Sequence, residues 1–201
     1  MSQQTKKNEV AAAAWRVIVR EGLSHTSMRA IAHELDCTTG VVTHYFRDKQ
    51  ELMLFALHQV TESLQRKMLE AAEKAEGIEK LRVMLCAFLP QDPERRQILQ
   101  VWVAFLGSAV GQESLMAEHR QSATQLRELL VQELLALQSA QLIQAKIDPE
   151  IEANSLLALV NGIALDYLIQ EKYLDCQQQE QVIRRYVNQL LSANSTSVST
   201  K

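Results

Sequence analysis

A short stretch of the sequence, TTGVVTHYF at residues 38–46, places small hydrogen-bonding groups on one side of a potential helix. At about 100° per residue, two of its threonines, its glycine and its histidine fall within an arc of about 140°. Threonine hydroxyls can bond base edges, threonine methyls can contact thymine methyls, and an imidazole can donate to guanine. A helix with such short side chains can enter the major groove of DNA. The pattern therefore predicts base-edge contacts from Thr39, Gly40, Thr43 and His44.

The two ends of this stretch carry groups suited to phosphate. Thr38 and Thr39 would begin the helix, where free backbone N–H groups and the positive end of the dipole favour an anion. Lys49 follows in the first turn of the next helix and can neutralise backbone charge. The same pattern also occurs in short surface helices that bind nothing, and an isolated histidine such as His44 is often simply solvated. Spacing alone leaves both interpretations open.

The helix that carries these residues is the second of two short helices. Thr26 or Ser27 can cap the first of them, which would end near Leu35. Only Asp36 and Cys37 separate it from the next helix, which is the spacing of a helix-turn-helix. Thr38 can cap this second helix through its side chain.

The other side of the second helix is apolar and should hold it in place. Val42 with Phe46, and Val41 with Tyr45, are i, i+4 pairs that can pack on the preceding helices. A longer helix precedes the pair and stops at Gly22. Its apolar stripe recurs at helical spacing: Val10, Ala13, Ala14, Val17 and Ile18.

The rest of the sequence predicts longer helices and no strands. Asp48 and Glu51 form a capping box, and Asp92 and Asp148 each precede a proline suited to the first helical position. The expected helices cover residues 48–75, 77–89, 93–109, 112–140, 149–171 and 177–191. We therefore predict an all-α protein of about nine helices.

Charge divides the chain into a mildly basic head and an acidic body. Residues 1–50 contain seven Lys and Arg against five Asp and Glu, whereas residues 51–201 contain fourteen against nineteen. A basic module on an acidic body suits a polyanion-binding protein. We predict a DNA-binding domain at residues 1–50 and a regulatory and dimerisation domain at 51–193. The polar tail at 194–201 is expected to be disordered.

Several classes of protein are disfavoured by what the sequence lacks. It has no HExxH, GxSxG, P-loop or dinucleotide fingerprint, so we do not expect an enzyme. Cys37, Cys86 and Cys176 are odd in number and widely spaced, which predicts neither a disulfide framework nor a metal site. We expect no cofactor.

The apolar-rich run at 156–169 is too short and polar to span a bilayer, and the start of the chain lacks the apolar stretch of a signal peptide. A cytoplasmic protein without a membrane partner is expected.

The segment SMRAIAHELDCTTGVVTHYFRDKQELM closely resembles the DNA-binding domain of the TetR family of bacterial transcriptional repressors. Its marks are Ile31-Ala32, the glycine inside the second helix, Tyr45-Phe46 and the lysine three residues later. The string TGVVTHYFRDK looks most like the BetI-type branch, whose named member controls choline-to-betaine genes. By this resemblance Thr39, Gly40, Thr43 and His44 match base-approaching positions, and Tyr45 and Lys49 match phosphate contacts. The resemblance implies a repressor that binds a palindromic double-stranded operator as a dimer. The alternative function is that of a helical scaffold protein that binds no specific DNA.

The last two predicted helices are candidates for the dimer interface. The helix before the last is apolar nearly all round, so more than one of its sides must be covered, and Asn161-Gly162 would permit close approach of another helix. In the family, two helices from each subunit form a four-helix interface. The alternative is that both helices fill a monomeric core. The expected interface residues are Leu156, Val160, Ile163, Val182, Ile183, Tyr186, Val187 and Leu190.

A repressor becomes regulated when a small molecule binds one of its conformations more tightly. The combination of aromatic and acidic residues would suit a cation, including a choline-like quaternary ammonium. However, the choline-responsive branch shows a second tryptophan where this chain has Leu106. Trp102 and Phe105 could equally be plain core, and another small organic effector is an open alternative. The candidate pocket residues are Trp102, Phe105, Leu106, Gln125, Asn161, Asp166 and Tyr167.

Overall fold

The structure is a computed structural model, and it describes residues 2–191. Nine α-helices, and no strand, form the described part of the chain, which confirms the all-α prediction. The expected tail at 194–201 lies outside the described residues. The helices are α1 Gln3–Glu21, α2 Met28–Glu34, α3 Thr39–Tyr45, α4 Lys49–Ala72, α5 Gly77–Cys86, α6 Pro93–Ala109, α7 Glu113–Ser139, α8 Pro149–Ile169 and α9 Cys176–Leu190. A short 3-10 turn at Glu171–Tyr173, which was not predicted, separates the last two helices.

Local sequence signals account for several of the helix ends. The Ser27 hydroxyl accepts a hydrogen bond from the N–H of Ala30 at 3.1 Å and starts α2. Asp148 caps α8 ahead of Pro149, and Asp175 forms a complete capping box at the start of α9. Gly22 has a φ of 81°, a backbone conformation that favours glycine, and ends α1.

The fold divides into two compact units, each made of two segments of the chain. The first unit runs up to Ser63 and includes Arg96–Ser122. The second consists of Leu64–Arg95 and the chain from Ala123 onward. Each unit therefore contains part of α4 and part of α7. The predicted division at residue 50 into a DNA-binding and a regulatory domain stays a prediction.

Each unit has its own apolar core. In the first unit, the predicted stripe of α1 is buried, together with Ile31 and Ala32 of α2 and with Val42 and Phe46. In the second unit, α5, α8 and α9 supply a cluster that includes Leu85, Leu156 and Ile183. Complete burial of such side chains stabilises the fold by roughly 1.5–3 kcal/mol each. Among residues 2–191, no helix is both long enough and apolar enough to cross a bilayer.

Candidate nucleic-acid interface

The helix α3 is anchored by one face and exposed on the other. Val42 and Phe46 are fully buried on the anchored face, and the ring of Phe46 packs at 5.3 Å from that of Phe55. The four residues of the predicted base-reading arc are Thr39, Gly40, Thr43 and His44, and all of them are exposed. This exposure is what a DNA-reading surface requires. The contacts themselves stay a prediction.

One part of the packing prediction for α3 is wrong. Val41 is 44% exposed, and Tyr45 is half-buried. The helix has only seven residues, so the Val42–Phe46 pair is sufficient to hold it. Val41 therefore lies on the solvent side, close to the predicted arc.

The start of α3 also differs from the expectation. Thr38 occupies the capping position, but its hydroxyl makes no capping hydrogen bond within the described chain, so the predicted side-chain cap is wrong. The Thr43 hydroxyl donates to the Gly40 carbonyl at 3.2 Å and can still accept a hydrogen bond from outside the helix. A Cβ added at Gly40 would meet its nearest neighbour, the Thr38 hydroxyl, at 3.6 Å, which is ordinary contact. Packing within the chain therefore does not require glycine at this position.

The two predicted phosphate-binding residues are held by neighbouring groups. Tyr45 is in edge-to-face contact with His44, with ring centroids 4.9 Å apart. The ammonium of Lys49 donates to the Leu23 carbonyl at 3.2 Å, which fixes the side chain at the turn after α1. An ammonium has three donors, so two remain for other acceptors.

The predicted capping box at the start of α4 is shifted by one residue. The Asp48 carboxylate accepts from the N–H of Glu51 at 2.9 Å, as expected. The Glu51 carboxylate, however, accepts from the N–H of Arg47 at 2.8 Å and not from that of Asp48. The hydrogen bond from the Glu51 N–H, and then the Arg47 side chain, lower the pKa of Asp48.

Sequence reasoning missed two basic residues near α3. The ammonium of Lys7 lies 5.3 Å from the ring centroid of Phe46 and 5.9 Å from that of Phe55. Lys6 pairs with Glu9 at 2.7 Å; the hydrogen bond to Glu9 is the main cause of the raised pKa of Lys6, and nearby Tyr45 adds the smallest contribution. The first turns of α1 therefore lie beside the end of α3. The consecutive lysines at the start of the chain were the signal that could have identified them.

Most of the residues expected in the dimer interface are instead core residues. Each is buried by side chains of its own chain, so it has almost no surface left to offer a second subunit. Only Val182 and Tyr186 are part exposed. The other six residues are buried within one chain, which favours the alternative of core residues, and their place in a dimer interface stays a prediction: Leu156, Val160, Ile163, Ile183, Val187 and Leu190.

The opposite side of α8 carries the exposed apolar residues. Ile151 and Ile169 are 65% and 80% exposed, and Leu165 also reaches solvent. Tyr173, in the 3-10 turn that follows α8, is 79% exposed. Because α8 is apolar nearly all round, its sequence did not indicate which side the chain itself would cover.

The predicted pocket residues are distributed over both units. Trp102, Phe105 and Leu106 belong to the first unit, and the other four belong to the second. Phe105 is fully buried, which favours the interpretation as core. Gln125 is exposed and accepts from Gln65 at 2.8 Å. The remaining three are exposed Asn161 and Asp166, and Tyr167, which is buried and donates to Glu171 at 3.1 Å. The set of seven stays a prediction.

Comparison with known proteins places this geometry in a family. Residues 10–55 match the sequence model of the bacterial regulatory proteins of the tetR family, and residues 77–192 match that of the BetI-type transcriptional repressor C-terminal region. The chain is 28% identical to the HTH-type transcriptional regulator PksA of Bacillus subtilis (strain 168), over 94% of this chain and 92% of that protein.

Solved structures have the same fold. A transcriptional regulator from Rhodococcus sp. Rha1 superposes with a TM-score of 0.81 at 25% identity, covering 92% of this chain and 95% of that one. A protein from Saccharomonospora viridis, solved in complex with choline, has a TM-score of 0.85 at 16% identity and covers 94% and 98% of the two chains. At that identity the likeness shows the fold alone. The family and its characterised relatives are regulators rather than enzymes. The chain therefore belongs to the TetR family of DNA-binding transcriptional regulators and carries a C-terminal region of the BetI repressor type.

Proposed function

We propose that this protein is a repressor that binds a palindromic operator as a homodimer and is released by a small organic effector. The observation that carries the proposal is α3, whose small polar face is exposed while Val42 and Phe46 anchor its back. In a twofold dimer, two such helices would enter successive major grooves roughly 34–36 Å apart.

Within each half-site, the arc of α3 reads bases and the residues around it contact phosphates. Thr39, Gly40, Thr43 and His44 approach base edges, and the glycine lets the backbone come close to the DNA. Thr38, Tyr45 and Lys49 position the helix through phosphate oxygens. Phosphate contacts release counterions, so binding should weaken steeply as salt is raised.

The dimer forms through the exposed side of α8 together with α9. Ile151, Leu165 and Ile169 lie along that side of α8, and Ala158 and Gly162 between them are small and exposed. Small residues allow the helix of a partner to pack closely. On α9, Val182 and Tyr186, both predicted as interface residues, are part exposed.

A polar group in the same region also supports contact with a second copy. Burial has the largest effect in raising the pKa of Tyr186, and a side-chain hydrogen bond to Glu152 and then the Glu152 charge raise it further. Glu152 Oε1 is buried and has no hydrogen-bond partner among the described residues. A buried carboxylate oxygen without a donor is unfavourable, and a donor from the partner subunit would relieve this.

An effector completes the regulatory cycle by binding the released conformation better. The choline bound to the protein from Saccharomonospora viridis supports a small organic ligand for this fold. Trp102 is part exposed and could hold a cation by its ring face. Leu106 replaces the second tryptophan of the choline-responsive pattern, so other small organic effectors remain alternatives.

A mobility-shift assay on DNA upstream of the protein's own gene, at low and raised salt, tests the proposal. We expect a retained complex that weakens with salt and is lost when about five base pairs are inserted between the half-sites, because half a helical turn moves one of them to the opposite face. Ser139→Ala, at an exposed position of the second unit, is the control and should bind like the parent chain. If no fragment is retained at either salt, the alternative of a helical scaffold protein is favoured.

A further inference from the structure

The histidine at position 119 of α7 is buried, although its stretch of sequence suggested an exposed position. Only 7% of its surface is exposed. The backbone carbonyl of Phe105 on α6 hydrogen-bonds its ring. The ring nitrogen Nε2 has no hydrogen-bond partner among the described residues, so the nitrogen that donates to Phe105 is Nδ1.

The protonation state of this ring decides what Nε2 can do. Burial, the largest influence, lowers the pKa of His119 below its ordinary value, against the opposing effects of the Phe105 hydrogen bond and the Glu118 charge. The ring is therefore neutral near pH 7. In a neutral imidazole with its proton on Nδ1, Nε2 carries a lone pair and accepts a hydrogen bond. A buried acceptor without a donor is rare in native proteins and calls for an explanation.

The surroundings of His119 indicate what kind of molecule could supply the donor. The ring of Trp102 meets that of His119 edge-to-face, with centroids 5.9 Å apart and planes at 81°. Trp102 is only part buried, so its ring can offer apolar surface to a ligand.

The charged groups on the neighbouring turns disfavour an anion. Glu118 Oε1 lies 3.0 Å from Nδ1 of His58 on α4, and Glu62 Oε1 lies 3.5 Å from the other nitrogen of that ring. Two carboxylates and one histidine give this region a negative balance. An anionic ligand would be repelled, whereas an uncharged molecule or a cation would not.

We propose that Nε2 of His119 accepts a hydrogen bond from the effector, a small organic molecule that is not an anion and that carries a hydroxyl group beside an apolar part resting on Trp102. This inference rests on the effector response proposed above and identifies the polar anchor of its site. The hydroxyl could belong to an uncharged alcohol or phenol, or to a hydroxylated cation. Both sources share the O–H donor, and the experiment separates them.

The experiment compares two pairs of probes in which a methyl ether replaces the O–H donor of the first member. Phenol is compared with anisole, and choline with its methyl ether, by calorimetric titration of the full-length protein. In the parent chain, the hydroxyl member of at least one pair should bind about fivefold tighter than its ether. Binding should also move the Nε2 resonance of His119 in protein labelled with ¹⁵N-histidine. A preference within the first pair identifies an uncharged ligand, and one within the second identifies a cation.

Three variants make the result specific to His119. His119→Phe should remove the preference for the hydroxyl probe, and His119→Gln should restore part of it, because a glutamine carbonyl can accept near the position of Nε2. His33→Gln is the matched control, since it removes an exposed histidine of the same unit, and it should keep the preference.

The inference is overturned if neither hydroxyl probe outbinds its ether, or if the preference survives in His119→Phe. Circular dichroism shows whether His119→Phe folds. If it does not, the parent chain alone decides: the inference is overturned if the Nε2 resonance of His119 does not move when a probe binds. Operator retention without any probe is measured alongside. If the protein binds the operator but shows no hydroxyl preference, only this inference is overturned. If it does not bind the operator, the proposed function is overturned.

Discussion

The helices α3 and α8 differ in how clearly their sequences indicate which side faces the rest of the chain. The helix α3 carries a polar arc on one side, and Val42 together with Phe46 at its C-terminal end forms an apolar pair on the other. The chain buries the apolar pair and exposes the arc. The sequence of α8 is apolar on nearly every side, and the chain covers the side that was expected to face a second subunit. A helix with two unlike faces indicates its orientation, whereas a uniformly apolar helix leaves the choice to tertiary packing. Four substitutions test this contrast.

The largest effect is expected for Leu156→Ala on the covered side of α8. Leu156 is fully buried in the second core, so truncation leaves a cavity and should lower the free energy of unfolding by about 2–5 kcal/mol. Chemical denaturation, monitored by circular dichroism, measures this change in the free energy of unfolding. An unchanged free energy of unfolding, with the protein converted to monomers, would place Leu156 in the dimer interface and not in the core.

On the exposed side of α8, Ile169→Glu should break the dimer and leave the fold intact. Ile169 is one of the most exposed apolar side chains of the described chain, so a charge there costs little within one chain but should cost about 2 kcal/mol or more at the centre of an interface. Sedimentation gives the oligomeric state and denaturation gives the stability. Ser139→Glu, at a polar exposed position of α7, is the control and should leave the dimer intact. A stable dimer of the Ile169 variant would exclude this side of α8 as the interface.

On α3, Thr43→Val should alter sequence preference at one base pair of each half-site. The substitution keeps the shape of the side chain and removes the hydroxyl, so a direct base contact should lose about 1–3 kcal/mol for the preferred base. Affinities for operators substituted at each position measure the effect. Equal weakening on operator and random DNA would show that Thr43 does not read a base.

The smallest effect is expected for Tyr45→Phe. If the hydroxyl contacts phosphate, its removal should weaken binding to every sequence alike, by about 0.5–1.5 kcal/mol, and should reduce the dependence on salt. Affinities for the same set of substituted operators, measured at several salt concentrations, give both effects. A change confined to a single base position would contradict the phosphate assignment and would extend the reading face of α3 to its last residue.

The sequence predicted those parts of the fold that depend on neighbouring residues. Ser27 and Asp148 begin helices as predicted because their side chains bond backbone N–H groups within three residues. The helix-turn-helix and the exposed arc of α3 follow from the same short-range patterns. The Thr38 cap failed because a capping residue type does not specify where its hydroxyl points.

The candidate site was predicted only where such local patterns sufficed. Lys6 and Lys7 were missed because their position beside Tyr45 and Phe46 depends on how α1 packs against α3. His119 was missed because its polar neighbours in sequence suggested solvent, whereas Trp102 and the Phe105 carbonyl surround it in space.

By itself the sequence determined an all-α chain, its helix ends and the small polar face of α3, because backbone hydrogen bonding, capping and amphipathic spacing act over a few residues. Tertiary structure alone decided which side of α8 the chain covers and that, among the described residues, the Nε2 of His119 lacks a donor. Both depend on contacts between residues far apart in sequence, whose combined burial no local pattern encodes.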